Sequence, residues 1–133
     1  MVASQRNGDN FTLIKETRGS IPRVSFEAIK NEVLGEKYNL TVIITTSARI
    51  KKLNSIYRNK DHATDILSFP LSESEGEIYI SPIETRKEAK KFDRTYENFF
   101  SFLFIHGCTH LKGYDHSAIM EGIEVKVRRK FNV

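Results

Sequence analysis

The chain has 133 residues, 39% hydrophobic and 29% charged, which is the composition of a globular protein large enough for one domain with a buried core. No apolar run approaches the roughly 20 residues that span a membrane, and the polar first ten residues lack the apolar stretch of a secretory signal. Lysine and arginine outnumber aspartate and glutamate by 21 to 17, a mild basic excess that is compatible with an RNA or phosphate partner without requiring one. We expect a cytoplasmic protein, and its single cysteine fits a reducing compartment.

Hydrophobic periodicity predicts alternating strands and helices after a frayed arm over residues 1–10. Strands are predicted over residues 11–15, 39–46, 66–69 and 77–81, the third ending at Pro70. Helices are predicted from Pro22 to Gly35, after a cap at Ser47, from Pro82 to Phe92, after a cap at Thr95, and over residues 118–131. The second of these should turn Ile50, Leu53 and Tyr57 to the core, and the last should turn Ile119, Ile123 and Val127 to it. This order predicts an α/β (α+β) fold: a single compact domain over residues 1–133, with a small mixed sheet packed against helices.

Three of the four histidines fall within eleven residues, from His106 to His116. His106 and His110 are spaced i, i+4, which places both on one face of a helix. Gly113 favours the end of that helix, and the turn after it can bring His116 back toward the other two. Three converging imidazoles that leave one position open are typical of a catalytic zinc site. We therefore predict one Zn²⁺ per chain, although Ni²⁺, Co²⁺ or Cu²⁺ suits the same ligands.

The residues between these histidines indicate which type of reaction the predicted metal site could catalyse. Gly107 stands where the H-E-x-x-H motif of zinc proteases has its glutamate base, so the sequence argues against a peptidase. A glycine inside a helix costs roughly 1 kcal/mol, and here it indicates close approach of another element or of substrate. Cys108 is about 200° around the helix from His106 and is expected to be a buried, inert thiol. Asp115 is either a catalytic or imidazole-orienting carboxylate, or a turn residue that caps the next helix.

A second polar cluster lies on the predicted loop between a helix and a strand. Its members are Arg58, Lys60, Asp61, Thr64, Asp65 and Ser68. Arg58 could bind a phosphate with two parallel hydrogen bonds, or it could form a surface ion pair with Asp61 or Asp65. His62 is expected to be exposed. The basic run over residues 126–130 is either a solvated helix end or a nucleic-acid contact.

Three motifs together support a family resemblance. They are Leu53-Asn54-x-x-Tyr57-Arg58-x-Lys60-Asp61-x-x-Thr64-Asp65-Ile66-Leu67-Ser68-Phe69-Pro70, then Gly76-Glu77-Ile78-x-Ile80-Ser81, and then His106-Gly107-x-x-His110-Leu111-x-Gly113-Tyr114-Asp115-His116. The chain resembles the bacterial YbeY-type proteins, which are metal-dependent endoribonucleases of ribosomal RNA maturation. The matched motifs extend over roughly half of the chain, and the last of them is highly specific.

The resemblance implies a compact α/β domain in which His106, His110 and His116 hold zinc. It implies that Arg58 serves substrate binding or catalysis in a basic groove near the metal. It also implies single-stranded RNA as substrate, in 16S rRNA 3′-end processing and ribosome quality control. Thr109 departs from the apolar residue usual in the family. The segment after His116 lacks the acidic run of many relatives.

The leading hypothesis is metal-assisted phosphodiester cleavage with Arg58 and Asp115 as catalytic residues. Either water or the RNA 2′-OH could be the nucleophile. A second hypothesis is a zinc-stabilised assembly factor that binds the small ribosomal subunit without cutting RNA. A metallopeptidase is the third, and Gly107 argues against it.

Overall fold

The computed structural model describes residues 10–113 and 118–133, together with the backbone of residues 4–8. Its strands are β1 (Ser4–Gly8), β2 (Phe11–Lys15), β3 (Asn39–Ile44), β4 (Ile66–Ser72) and β5 (Glu75–Ile80). Its helices are α1 (Phe26–Leu34), α2 (Ser47–Arg58), α3 (Pro82–Lys91), α4 (Tyr96–Leu111) and α5 (Ala118–Lys130). None of these described helices has the length and apolar character required to cross a membrane. The predicted fold class is confirmed: a single α+β domain with a mixed sheet.

The strands form one sheet in the order β1-β2-β3-β5-β4. The three inner strands are parallel to one another, whereas β1 and β4 run antiparallel to their neighbours at the two edges. Strand β3 lies in the centre and is buried on both faces, which explains its continuous run of apolar, mostly β-branched residues. Its Leu40, Val42 and Ile44 face the larger core.

The larger core lies between one face of the sheet and the helices α1 and α4. Phe26 of α1 contacts Phe104 of α4 edge-on, with the ring centroids 5.0 Å apart. A smaller core on the opposite face joins Ile50 of α2 to Ile43 and Tyr79 of the sheet. Helix α4 is therefore fixed by apolar packing along its length, and its carboxyl-terminal half lies against β4.

The prediction of a frayed arm over residues 1–10 is wrong for Ser4–Gly8, which form β1 and pair antiparallel with β2. This segment (SQRNG) has no apolar alternation, and its pairing depends on backbone hydrogen bonds that side-chain patterns do not reveal. The predicted helix start at Pro22 is also wrong, since α1 begins at Phe26. Ile21 and Val24 instead pack against the core from an irregular segment.

Several further boundaries differ from prediction: β3 ends at Ile44, two residues early, and β5 extends from Glu75 to Ile80 in place of residues 77–81. Strand β4 continues through Pro70, contrary to prediction, because it is an edge strand. On the open side of an edge strand no neighbour needs a backbone N–H, so a proline is tolerated there. Helix α2 is capped by Thr46, not Ser47: the Thr46 hydroxyl accepts a hydrogen bond from the backbone nitrogen of Arg49 at 3.2 Å. Tyr57 was expected inside but is 65% exposed.

The buried face of α5 is rotated only in part from the predicted face, because Val127 is buried and Ile123 packs against the core as predicted. Ile119 is 68% exposed, while Met120, Glu124 and Val127 are buried. Both faces have helical spacing, so periodicity alone cannot choose between them. The observed rotation turns a glutamate toward α4, which matters for the site.

Candidate metal centre

Helix α4 brings His106 and His110 together, as their spacing predicts. The helix is capped by Thr95, as expected: the Thr95 hydroxyl accepts a hydrogen bond from the backbone nitrogen of Asn98 at 3.2 Å. The imidazole centroids of His106 and His110 are 4.5 Å apart, and their Nε2 atoms are separated by 3.0 Å. Both side chains are half-buried. Two ring nitrogens therefore face the same point next to the sheet.

Two of the predicted site residues, His116 and Asp115, lie outside the described residues. Within residues 10–113 and 118–133, no group of three histidine, cysteine, aspartate or glutamate side chains forms a metal-binding cluster. The described part of the predicted centre is thus the pair His106 and His110.

Glu124 of α5 is a site residue that sequence reasoning missed. One of its carboxylate oxygens, Oε1, lies 2.5 Å from Nδ1 of His106, and the side chains of Glu124 and His106 are only 11% and 27% exposed. An ionised carboxylate only accepts hydrogen bonds, so in the tautomer that satisfies this contact Nδ1 donates to Glu124 and Nε2 of a neutral ring presents its lone pair toward His110. Carboxylates in this position orient metal-binding imidazoles. No clear signal in the sequence pointed to Glu124, which lies beside the predicted apolar stripe of α5. Its burial in the structure is what indicates a partner, because glutamate is rarely buried without one.

The described geometry fits a divalent transition metal. Two imidazole nitrogens at about 2.0 Å from a tetrahedral zinc ion are roughly 3.3 Å apart, close to the 3.0 Å observed here. The two nitrogens are neutral donors, which suit zinc and its neighbours. His106 and His110 would supply two ligands, and further ligands would have to come from elsewhere.

Helix α4 lies close to the sheet at Gly107. A Cβ at this position would lie 2.9 Å from Cδ1 of Ile66 and 3.0 Å from Oγ of Ser68, both on β4. The Ser68 hydroxyl also donates a hydrogen bond to the carbonyl oxygen of Gly107 at 3.4 Å. The predicted close approach is confirmed, and the approaching element is β4.

Replacing Gly107 by alanine should lower the free energy of unfolding by about 1 kcal/mol, because overpacking against β4 outweighs the gain in helix propensity. Gly122 in α5 is the matched control, since a Cβ added there would meet no heavy atom of the described neighbours within 4 Å. Gly122→Ala should raise the free energy of unfolding by about 0.5–1 kcal/mol. Urea unfolding of both variants measures the two effects. Stabilisation by both substitutions would contradict the close packing.

Arg58 reaches the same region from the end of α2. Its Nη2 donates a hydrogen bond to the carbonyl oxygen of Ser68 at 2.7 Å, and its guanidinium lies 5.5 Å from the ring centroid of Phe69. The side chain is exposed and forms no ion pair with a described carboxylate. The alternative pairing with Asp61 or Asp65 is therefore wrong. The contacts with β4 hold the guanidinium in place and leave most of its donors available.

Arg58, His106 and His110 line one pocket of about 300 Å³, together with β4 residues that include Ser68. Of the polar cluster predicted from sequence, Lys60 and Asp61 are exposed and do not line this pocket. The structure thus brings a cation and two imidazoles together from helices that are separated by almost forty residues.

The remaining titratable residues of the predicted motifs have other environments. Burial raises the pKa of Asp65, and Glu88 adds to this, while hydrogen bonds from backbone and from Thr64 oppose it. His62 is exposed, as predicted. Cys108 is completely buried, which raises the pKa of its thiol above the ordinary value. The expected burial of Cys108 is confirmed.

Comparison with known proteins gives a family for this architecture. The protein-family model described as endoribonuclease YbeY matches residues 5–132. The chain belongs to the YbeY family. An endoribonuclease YbeY of Thermotoga maritima is 40% identical over 92 residues, which are 68% of this chain and 60% of that relative. The YbeY protein of Neisseria gonorrhoeae is 36% identical over 123 residues, covering 80% of this chain and 71% of the relative.

A solved structure of similar sequence has the same fold. A solution structure of a Thermotoga maritima protein superposes with a TM-score of 0.58 at 31% identity, covering 80% of this chain and 81% of the other. The match to the first Thermotoga maritima relative spans only three fifths of that protein's length.

Proposed function

We propose that this protein is a zinc-dependent endoribonuclease that cleaves single-stranded RNA. The observation that supports it is the pocket in which the Arg58 guanidinium faces the region of the His106 and His110 imidazoles. The RNA substrate is inferred from the family, whose members are named endoribonucleases. We further propose a role in the cytoplasm, in 16S rRNA 3′-end processing and ribosome quality control, with the small ribosomal subunit as partner.

Nε2 of His106 and Nε2 of His110 would hold the ion, and we propose His116 as a third ligand. A divalent cation bound there supplies positive charge that polarises a phosphate oxygen and lowers the pKa of water. Glu124 accepts the Nδ1 proton of His106 in a hydrogen bond and so keeps the Nε2 lone pair directed into the pocket. We propose Asp115 as the residue that moves a proton during cleavage.

Arg58 would bind the scissile phosphate. Its hydrogen bond to Ser68 occupies one of five guanidinium N–H groups. The others can donate to two phosphate oxygens and stabilise the charge that develops as the phosphodiester bond breaks. Because β4 already fixes the side chain, little reorganisation is needed when substrate binds.

Replacing Glu124 by alanine should weaken zinc binding by about 10–100-fold, because Nδ1 of His106 loses the acceptor that orients the ring. Titration against a chromophoric zinc chelator measures the affinity. Glu121→Ala is the matched control, since Glu121 is an exposed glutamate three residues earlier on the same helix. Equal zinc affinity in Glu124→Ala and wild type would show that this carboxylate does not act through His106.

Metal analysis and an RNA cleavage assay on one purified preparation test the proposed function. We expect about one zinc per chain, cleavage of single-stranded RNA, loss of cleavage on chelation and recovery on adding zinc. A 2′-deoxy substitution at the scissile nucleotide then distinguishes attack by water, which survives it, from attack by the 2′-OH. Protein that retains its zinc but leaves RNA intact would refute the nuclease and favour an RNA-binding assembly factor.

A further inference from the structure

A second and larger pocket also has His106 in its wall. Its volume is about 810 Å³, and it is formed where the end of α3 and the loop after it meet α4 and α5. We call it the arginine groove, defined by Phe92, Arg94, Phe102 and Arg128. His106 lines both pockets, so the arginine groove and the pocket of Arg58 adjoin at this residue.

Two arginines in this groove share one aromatic ring. The guanidinium carbons of Arg94 and Arg128 lie 4.7 Å and 5.2 Å from the ring centroid of Phe102. The two positive charges are therefore no more than roughly 10 Å apart, the sum of their two distances to the ring, which lets them contact neighbouring phosphates of one strand.

Neither of these arginines is neutralised by a described carboxylate. Arg94 donates a hydrogen bond to the amide oxygen of Asn98, and the buried Nε of Arg128 has no hydrogen-bond partner among the described residues. Other cations do have such partners: Arg49 pairs with Glu16 at 3.2 Å. The two guanidinium groups form no ion pair with a described carboxylate. Glu121 and Glu124 also line the groove, but the carboxylate of Glu124 contacts His106. The guanidinium donors can therefore bind an anion with several charged oxygens.

An exposed aromatic ring lies at the same groove. Phe92 ends α3, and its side chain is 62% exposed. Its ring stacks on Phe99 with the centroids 5.4 Å apart and the planes at 17°. The stacking fixes the orientation of the Phe92 ring. An oriented, exposed aromatic ring beside cations is the arrangement that proteins use to stack the bases of single-stranded nucleic acid.

We propose that the arginine groove binds the single-stranded RNA where it leaves the metal centre, with phosphates on Arg94 and Arg128 and a base on Phe92. This inference rests on the proposed function and extends the substrate site beyond the scissile nucleotide. Glu121 also lines the groove and is exposed. Its negative charge should repel the phosphates, so removing that charge should strengthen RNA binding, whereas removing the arginines should weaken it.

The test measures RNA binding separately from cleavage. The probe is a fluorescent 2′-O-methyl RNA oligonucleotide of about 12 nucleotides, within the known range of single-strand site sizes. The protein is the zinc-loaded full chain, with Arg58→Ala present in every protein compared so that cleavage by water is slowed as well. In Arg94→Gln/Arg128→Gln, the slope of log Kd against log salt concentration should fall by about 1.4, which corresponds to two lost phosphate contacts. At 0.1 M salt the double variant should therefore bind about 25-fold more weakly than the parent protein, and near 1 M salt the two Kd values should become equal. Phe92→Leu should weaken binding about fivefold or more, and Glu121→Gln should strengthen it.

The matched control is Arg86→Gln/Arg129→Gln, which removes two exposed arginines from α3 and α5. Unchanged binding in Arg94→Gln/Arg128→Gln, or an equal loss in the control, would overturn the proposal. If the double variant folds poorly, Arg94→Gln alone should still weaken binding about fivefold at 0.1 M salt. Failure of wild-type protein to cleave RNA would refute the nuclease, whereas the binding series decides on the groove independently.

Discussion

Replacing His110 by alanine should remove the bound zinc and reduce RNA cleavage by about 1000-fold, since a metal contributes several kcal/mol and each 1.4 kcal/mol is tenfold in rate. Nε2 of His110 lies 3.0 Å from Nε2 of His106, so both nitrogens face one ion position. The imidazole is half-buried and near the end of α4, so its removal should leave the fold intact. Elemental analysis, circular dichroism and cleavage of labelled single-stranded RNA measure the three effects.

His62→Ala is the matched control, because His62 is an exposed histidine that does not line the pocket. It should retain zinc and full cleavage. If His110→Ala cleaved RNA as fast as wild type, the activity would belong to a contaminating nuclease. If it lost cleavage but kept one zinc per chain, His110 would not be a ligand.

Replacing Arg58 by alanine should lower kcat by about 100–1000-fold and leave the zinc content unchanged. This is the range expected when a fixed donor to developing negative charge is removed. Arg58→Lys should recover only part of the loss, because an ammonium keeps the charge but cannot donate the two parallel hydrogen bonds of a guanidinium. Single-turnover cleavage with excess enzyme separates this effect from weaker RNA binding.

Arg49→Ala provides the control for Arg58, because both arginines lie on α2 and both contact an aromatic ring of the sheet. The Arg49 guanidinium is 5.8 Å from the ring centroid of Tyr79, but its partner is Glu16 and it does not line the pocket. Its removal should leave kcat near the wild-type value. A similar loss of kcat in both variants would mean that Arg58 acts through the general charge of α2 and not at the phosphate.

The sequence predicted those parts of the site that are local in the chain. The i, i+4 spacing of His106 and His110 determines their shared helix face, whatever the rest of the fold does. Gly107 indicated a close neighbour because a helix interior disfavours glycine without a reason. The neighbour itself, β4, could not be identified from that residue, since the helix and the strand meet only through tertiary packing.

The orienting carboxylate shows why the rest could not be predicted. Asp115 was the natural candidate because it is adjacent to a histidine in sequence, whereas Glu124 is eighteen residues from His106 and contacts it across two helices. The predicted face of α5 included Ile119 and excluded Glu124, and a partial rotation of that face reverses both assignments while Ile123 and Val127 stay inside. Periodicity cannot resolve such a rotation, because the packing of α5 on α4 decides it.

The edge strands of the sheet were also difficult to predict from the sequence. The polar strand β1 has no apolar alternation, and Pro70 would end a central strand but is tolerated in the edge strand β4. Knowing which strands lie at the edge requires the strand order, and the strand order depends on crossovers between distant segments. Local patterns therefore predicted the inner strands better than the outer ones.

The buried thiol of Cys108 allows the opening of helix α4 to be measured by thiol labelling. Because this is the only cysteine in the chain and its side chain is inaccessible, a thiol reagent can react only when the helix separates from the sheet. The labelling rate therefore measures the local opening equilibrium of the helix that bears both described histidines. A metal that binds only the closed helix should slow that rate in proportion to its occupancy, so labelling of the native cysteine can measure metal binding.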